Sequence, residues 1–213
     1  MGRYDWIRDG LKAAYNDRAE ERDQGGIEPW KAAERERFLG ELRGCGAAAL
    51  LEVGAGPGRD SLFFREAGLE VTAVDLSPEM VRLCRAKGLK ALEMDAARLH
   101  FPDGSFDAVY AMNSLLHIPK AELPDVLAEI RRVLKPGGLF YMGVYGGQDT
   151  EGIWENDAYV PKRFFAMYPD DAMRRVVKGF FEVAYFGVVE YAGPGRKPHF
   201  QSMILRKAAT VSP

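Results

Sequence analysis

The run from Ala48 to Val53 is apolar except for Glu52, and it leads straight into Gly54, Gly56 and Gly58 on alternate positions of the stretch LLEVGAGPGRDS. A largely apolar run that ends in glycines reads as a central parallel strand, buried on both faces. The next residues, Asp60 to Ala67, have the make-up of a helix and stop at Gly68, a residue suited to ending one. Strand therefore passes to helix through a turn built mainly of glycine. In an open parallel sheet such a turn brings backbone N–H groups close to a ligand beyond the carboxyl ends of the strands.

The unit repeats along the chain. Glu70 to Asp75 reads as a strand, and Ser77-Pro78-Glu79 opens a helix with a capping hydroxyl, a proline in the first turn and a carboxylate at the positive end of the helix dipole. That helix, Met80 to Lys87, stops at Gly88 and is followed by a short strand near Lys90 to Glu93. After the loop Phe101 to Ser105 come a strand from Phe106 to Met112 and a helical segment from Glu122 to Leu134. Pro136-Gly137-Gly138 breaks that segment, and Leu139 to Val144 is the next strand. Strands alternating with helices predict an α/β fold, a doubly wound and mostly parallel sheet with helices on both faces.

Residues 1–44 read as two helices around a Gly25-Gly26 break, an N-terminal helical cap. Beyond Gly146 the rhythm changes: a loop to Tyr159, helical pieces at Pro161 to Met167 and Asp170 to Lys178, then strand-like runs from Phe180 to Tyr191 and from His199 to Arg206. The turn-rich segment Ala192 to Arg196 between those runs predicts an antiparallel hairpin at the end of the sheet. With 213 residues, 47% of them hydrophobic, the chain suits a single domain: a helical cap over 1–44, a core over 45–145 and a C-terminal part over 146–213.

Charge and cysteine usage exclude several classes. Lys plus Arg number 29 against 31 Asp plus Glu, so no overall positive field draws the chain to nucleic acid. Cys45 and Cys84 lie far apart, without metal-ligand spacing, which predicts reduced thiols in a cytoplasmic protein and no bound metal. No run approaches the ~18 apolar residues of a membrane span, and the charged N-terminus MGRYDWIRDG has no signal-peptide core.

The glycine turn does not follow the pyrophosphate fingerprint G-x-G-x-x-G. Its third glycine would fall on Arg59 or Ser61, depending on where the count starts, and no Lys-Ser or Lys-Thr pair marks a phosphate loop. Asp75, at the tip of the following strand, is suited to accept hydrogen bonds from the two hydroxyls of a ribose. An acid just ahead of Ser77-Pro78 is equally able to help cap the next helix. The pattern points to a ligand that contains a nucleoside without requiring a pyrophosphate.

The segments LLEVGAGPGRD, VTAVDLSPEM, MDAARLHFPDGSFDAVYAMNSLLHIP and RRVLKPGGLFYMG stand in this order over roughly residues 48–145. Together they resemble the class I S-adenosylmethionine-dependent methyltransferases. The resemblance implies a seven-stranded, Rossmann-like sheet, S-adenosyl-L-methionine as cofactor and S-adenosyl-L-homocysteine as product. It implies that Gly54, Ala55, Gly56 and Gly58 pack their backbone against the methionine and ribose parts, that Asp75 holds the ribose hydroxyls, and that Leu76 and Met80 lie against the adenine. By the same resemblance, Asp95 faces the adenine amino group, Ala96 adds a backbone contact, Asn113 sits near the sulfonium, and Tyr15 closes over the cofactor from the N-terminal side.

His117 follows the fourth strand, where methyl group and acceptor meet, and an imidazole there can take a proton at neutral pH. The alternative is that it caps the Pro119 turn or packs against the cofactor. Trp154, Tyr159, Phe164, Phe165, Tyr168, Tyr185 and Phe200 either wall a pocket for an apolar small substrate or form a second core layer. The function expected is methyl transfer to an O or N atom of a small molecule, with no membrane or nucleic-acid partner. The alternative is a peptide, protein or RNA acceptor, against which stands the absence of an Asn-Pro-Pro-Tyr-like motif at Asn113-Ser114-Leu115-Leu116.

Overall fold

A computed structural model describes residues 3–191 and 198–209. Three helices open the chain, α1 (Arg3–Asp17), α2 (Ala19–Gln24) and α3 (Pro29–Cys45), so the helical cap is divided at Arg18 as well as at the expected glycine break. The core then runs β1 (Ala49–Val53), α4 (Arg59–Glu66), β2 (Glu70–Asp75), α5 (Pro78–Ala86), β3 (Lys90–Glu93) and β4 (Phe106–Met112). A single 3-10 turn (Leu115–His117), α6 (Leu123–Val133) and β5 (Leu134–Gly146) follow. The remaining elements are β6 (Thr150–Ile153), β7 (Phe164–Met167), α7 (Asp170–Lys178), β8 (Glu182–Val189) and β9 (His199–Arg206).

Seven strands form one sheet in the order β3-β2-β1-β4-β5-β9-β8. The first five are parallel, whereas β9 runs antiparallel to both β5 and β8. The architecture is the expected doubly wound, mostly parallel sheet with an antiparallel end. The hairpin turn expected at Ala192 to Arg196 lies outside the described residues. Strand order reverses between β1 and β4, which places the ligand crevice of such a sheet at their carboxyl ends.

Alternation along the central strands fills both faces. Leu51, Val53, Val109 and Ala111 pack with α6 residues Val126, Leu127 and Ile130 on one side, while Leu50, Ala108 and Tyr110 meet Phe38 and Leu42 of α3 and Phe64 of α4 on the other. Ser77 caps α5 as expected, its hydroxyl accepting the Met80 N–H at 3.2 Å.

Two expectations require correction. Residues 164–167, expected as helix, form β7 and pair with β6 in a separate two-stranded sheet, within what reads as loop. Phe164 and Ala166 pack with Ile7 and Leu11 of α1, whereas Phe165 and Met167 enter the main core. Burial on alternate sides is the period of a strand, and it overrides the helix reading. Pro136-Gly137-Gly138, expected as a break, lies inside β5, where a register shift between Phe106 and Ala108 of β4 absorbs the extra residues.

Candidate active site

At the carboxyl ends of β1, β2, β3 and β4 lies a cavity of about 370 Å³, roofed by α1, α2 and the segment that leads to α3. Gly54, Ala55 and Gly56 form its floor, and Asp75, Leu76, Met80, Asp95, Ala96 and Asn113 line it together with Tyr15 and His117. Gly58, singled out with them, is placed differently. It is the N-cap of α4, and a Cβ there would stand 2.6 Å from Leu89 and 2.8 Å from the Cys84 sulfur, so its smallness serves packing.

The other two glycines work in different ways. Gly54 has φ of 75°, and a Cβ on it would lie 2.2 Å from the Ser114 Cβ, so only glycine lets the turn pass under the strand that delivers Asn113. Gly56, with φ of 54°, has nothing within 4 Å of where a Cβ would stand, and that open space belongs to the cavity.

Asp75 ties the turn to the next helix. One carboxylate oxygen accepts the Gly56 N–H at 2.8 Å and the other the Ser77 N–H at 2.9 Å. Burial raises its pKa, opposed by these two backbone bonds. Each oxygen retains acceptor capacity toward the cavity. Asp95 accepts from the Tyr4 hydroxyl at 2.9 Å, from Arg8 at 3.2 Å and from the Ala97 N–H at 2.9 Å, so α1 is fastened to the strand tip. Glu52, beneath the turn, bonds Ser61; burial and the neighbouring Asp60 raise its pKa well above the usual range.

His117 is 5% exposed with both ring nitrogens engaged. Its Nδ1–H donates to the Phe164 carbonyl at 2.7 Å, which leaves Nε2 to accept the Tyr15 hydroxyl at 2.6 Å. Burial lowers its pKa to about 3. Arg163 donates to the Tyr15 oxygen at 3.1 Å, is held by Asp157 at 2.8 Å, and stacks 3.6 Å over the Tyr159 ring. Three stretches far apart in the chain, at residues 15, 117 and 157–164, thus meet at one phenol.

The cavity also takes residues that the sequence reading does not single out, among them Arg8, Arg22, Lys31 and Asp60. They lie on helices whose charged faces look like solvated surface, and only docking onto the sheet turns them inward. The aromatic residues of the C-terminal part are absent from the cavity lining among the described residues. Phe164, Phe165, Tyr168 and Phe200 are buried, the second-core-layer alternative.

Residues 51–142 match the family model described as methyltransferase domain. The chain is 38% identical over 125 residues to a sterol 24-C-methyltransferase of Gibberella zeae, covering 54% of this chain and 31% of that protein. It is 36% identical over 102 residues to a ubiquinone biosynthesis O-methyltransferase of Xanthomonas oryzae pv. oryzae, covering 45% and 42%. It spans less than half the length of these curated relatives. Over its whole length the fold is also that of the Burkholderia thailandensis 1,6-didemethyltoxoflavin-N1-methyltransferase, solved with 1,6-didemethyltoxoflavin and S-adenosylhomocysteine. The TM-score is 0.74 at 22% identity, with 98% of this chain and 91% of that one covered.

Proposed function

We propose that the protein transfers the methyl group of S-adenosylmethionine to an oxygen or nitrogen atom of a small molecule, releasing S-adenosylhomocysteine. The observation that carries this reading is the convergence of a glycine turn, Asp75, Asp95 and Asn113, from four strand tips, on one roofed cavity. The residues fit the cofactor: Asn113 Oδ1 and Arg22 Nε are buried there without a protein partner, and Gly56 leaves its floor open. No helix among the described residues is long and apolar enough to cross a membrane. The unpaired Cys45 and Cys84 support placing the protein in the cytoplasm.

When bound, the cofactor supplies an electrophilic methyl group on a sulfonium; the chain's part is to orient donor and acceptor and to exclude water. In this reading Asp75 receives the ribose hydroxyls, and Leu76 and Met80 wall the adenine beside Asp95 and Ala96. Gly54, Ala55 and Asn113 lie along the methionine end, with Tyr15 over it. Residues 1–44 act as the cap, 45–145 as the cofactor-binding core and 146–213 as the substrate-side part. His117 holds Tyr15 in place instead of deprotonating the acceptor, since an imidazole with a pKa near 3 is a weak base at neutral pH.

Small-molecule acceptors are supported by the names of the relatives, a sterol 24-C-methyltransferase and a ubiquinone biosynthesis O-methyltransferase. Calorimetry with S-adenosylhomocysteine, followed by incubation of methyl-labelled S-adenosylmethionine with phenols, quinols and amines, tests the reading. Saturable binding and label in a small acceptor are expected. Label found only in tRNA or protein would move the acceptor to a polymer, and absence of cofactor binding would overturn the reading altogether.

A further inference from the structure

Three aromatic rings stand beside the cavity and stay partly open to solvent: Trp30 in the first turn of α3, Tyr145 near the end of β5, and Tyr191 just past β8, the last 37% exposed. They share a buried base. Phe200 of β9 pairs in register with Tyr145, and its ring lies 4.7 Å from that of Trp30 and 5.8 Å from that of Tyr145. Tyr191 stacks on Trp30 at 5.9 Å and lies 5.0 Å from Tyr145. Two residues of the cavity lining join this wall to the cavity: Lys31, whose ammonium lies 5.1 Å over the Trp30 ring, and Asn113.

Asn113 carries two marks of a ligand site. Among the described residues it is the one non-glycine residue with positive φ, 54°, and its N–H donates to the Gly143 carbonyl at 2.8 Å. Such a backbone is strained and persists where the surroundings fix it, often at a binding site. Its side chain is only half satisfied. Burial raises the Tyr145 pKa, Glu28 adds to the rise, and Asn113 opposes it through a hydrogen bond to the phenol. A neighbour that lowers a phenol's pKa donates to its oxygen, so the amide N–H is engaged there. Oδ1 is left over, buried and with no partner among the described residues. Whatever completes it must donate an N–H or O–H, and a sulfonium has neither.

We infer that the methyl acceptor is a flat aromatic or heteroaromatic ring that bears an O–H or N–H. Its ring lies against Tyr145 and Tyr191, and its O–H or N–H donates to Asn113 Oδ1. The inference rests on the methyltransferase reading above and names the acceptor class. Rings gain from offset or edge contact with other rings, which a saturated alcohol of the same size does not supply. Charge agrees, because Glu28 beside the wall is paired with Lys31 at 3.0 Å, and an uncharged acceptor fits.

The test uses three probes on one carbon frame: 1-naphthol has ring and donor, 1-methoxynaphthalene the ring alone, and decahydro-1-naphthol the donor alone. Calorimetry with S-adenosylhomocysteine comes first, and failure to bind it would remove the methyltransferase reading itself. Ligand-observed NMR titrations of the S-adenosylhomocysteine complex follow. 1-Naphthol is expected to bind about 3- to 10-fold tighter than either other probe. Equal affinities, or no binding of 1-naphthol to that complex, would overturn the acceptor class and leave the cofactor reading standing.

Tyr145→Leu is expected to weaken 1-naphthol about 3- to 10-fold while decahydro-1-naphthol stays within about twofold. Asn113→Gly, which tolerates positive φ, is expected to erase the preference for 1-naphthol over 1-methoxynaphthalene. A preference that survives in Asn113→Gly counts against the hydrogen bond. If S-adenosylhomocysteine then weakens instead, Oδ1 serves the cofactor and the inference fails. Thermal melting shows whether Tyr145→Leu folds. If it does not, Tyr191→Leu at its exposed position gives the same comparison, and unchanged 1-naphthol affinity there overturns the aromatic wall.

Discussion

Asp75 shows how much one side chain does at this site. Its two oxygens hold the glycine turn and the start of α5 by backbone N–H bonds and still present acceptor capacity to the cavity, so the helix-cap role leaves room for a ligand. Asp75→Ala is expected to abolish measurable S-adenosylhomocysteine binding in calorimetry and to cost about 1–3 kcal/mol in urea unfolding, because two N–H groups lose their acceptor. His117 gives a pH signature. Its native pKa of about 3 lies below the unfolded value of 6.5, so the unfolded chain binds more protons across that interval. Stability is full above the upper value and falls as pH drops through the window. The raised pKa values of Glu52 and Asp75 act in the opposite sense, so the difference between variants is the informative quantity. His117→Gln is expected to melt with a shallower dependence on pH between 6.5 and 4 than wild type, and an unchanged slope would exclude a buried neutral imidazole.

Among the elements, the turn from β1 to α4 was legible because glycine is the one residue that permits positive φ under a neighbouring strand. Gly54→Ala is expected to destabilise the protein by about 2–5 kcal/mol, since its Cβ meets Ser114 and its φ is positive. Chemical denaturation measures this, and a loss under about 1 kcal/mol would show that Ser114 moves aside at little cost. The clasp of α1 on the rest of the fold was not legible. Arg163 reaches Tyr15 across 148 residues, and Tyr4 reaches Asp95 across 91. No local periodicity encodes such pairs. β7 was misread for a related reason: four buried residues fit either a helix or a strand until the two packing partners are known. Arg163→Met is expected to raise KM for S-adenosylmethionine several-fold by loosening Tyr15 and to lower the melting temperature as well, since the buried Asp157 carboxylate loses its partner.

For the molecule as a whole, α3 fastens the N-terminal cap to the back of the sheet. Phe38 is fully buried, its ring centroid 5.5 Å from Tyr141, 5.8 Å from Tyr110 and 6.3 Å from Phe64. Below them Ser202 of β9 joins Glu34 of α3 and the Tyr141 hydroxyl, which ties the antiparallel end of the sheet to the same helix. Phe38→Ala is expected to lower stability by about 3–5 kcal/mol, the usual cost of emptying a large core site. Because its cluster joins α3, α4, β4 and β5, a single cooperative transition at lower denaturant should be seen by far-UV circular dichroism and by tryptophan fluorescence alike. Two separated transitions would mean that the cap folds apart from the sheet.

Strand and helix alternation, the glycine turn and the acids at successive strand tips were set by local rules of backbone sterics and hydrophobic period, and these rules act within about ten residues. That is why the sequence alone determined the parallel core and which strand-tip residues line the cavity. The tertiary structure decided which cations lack a counter-ion, that both ring nitrogens of His117 are engaged, that β6 and β7 pair, and that Phe164, Phe165, Tyr168 and Phe200 face the core. Each of these depends on groups brought together from distant parts of the chain, and burial and charge pairing exist only once that packing is complete.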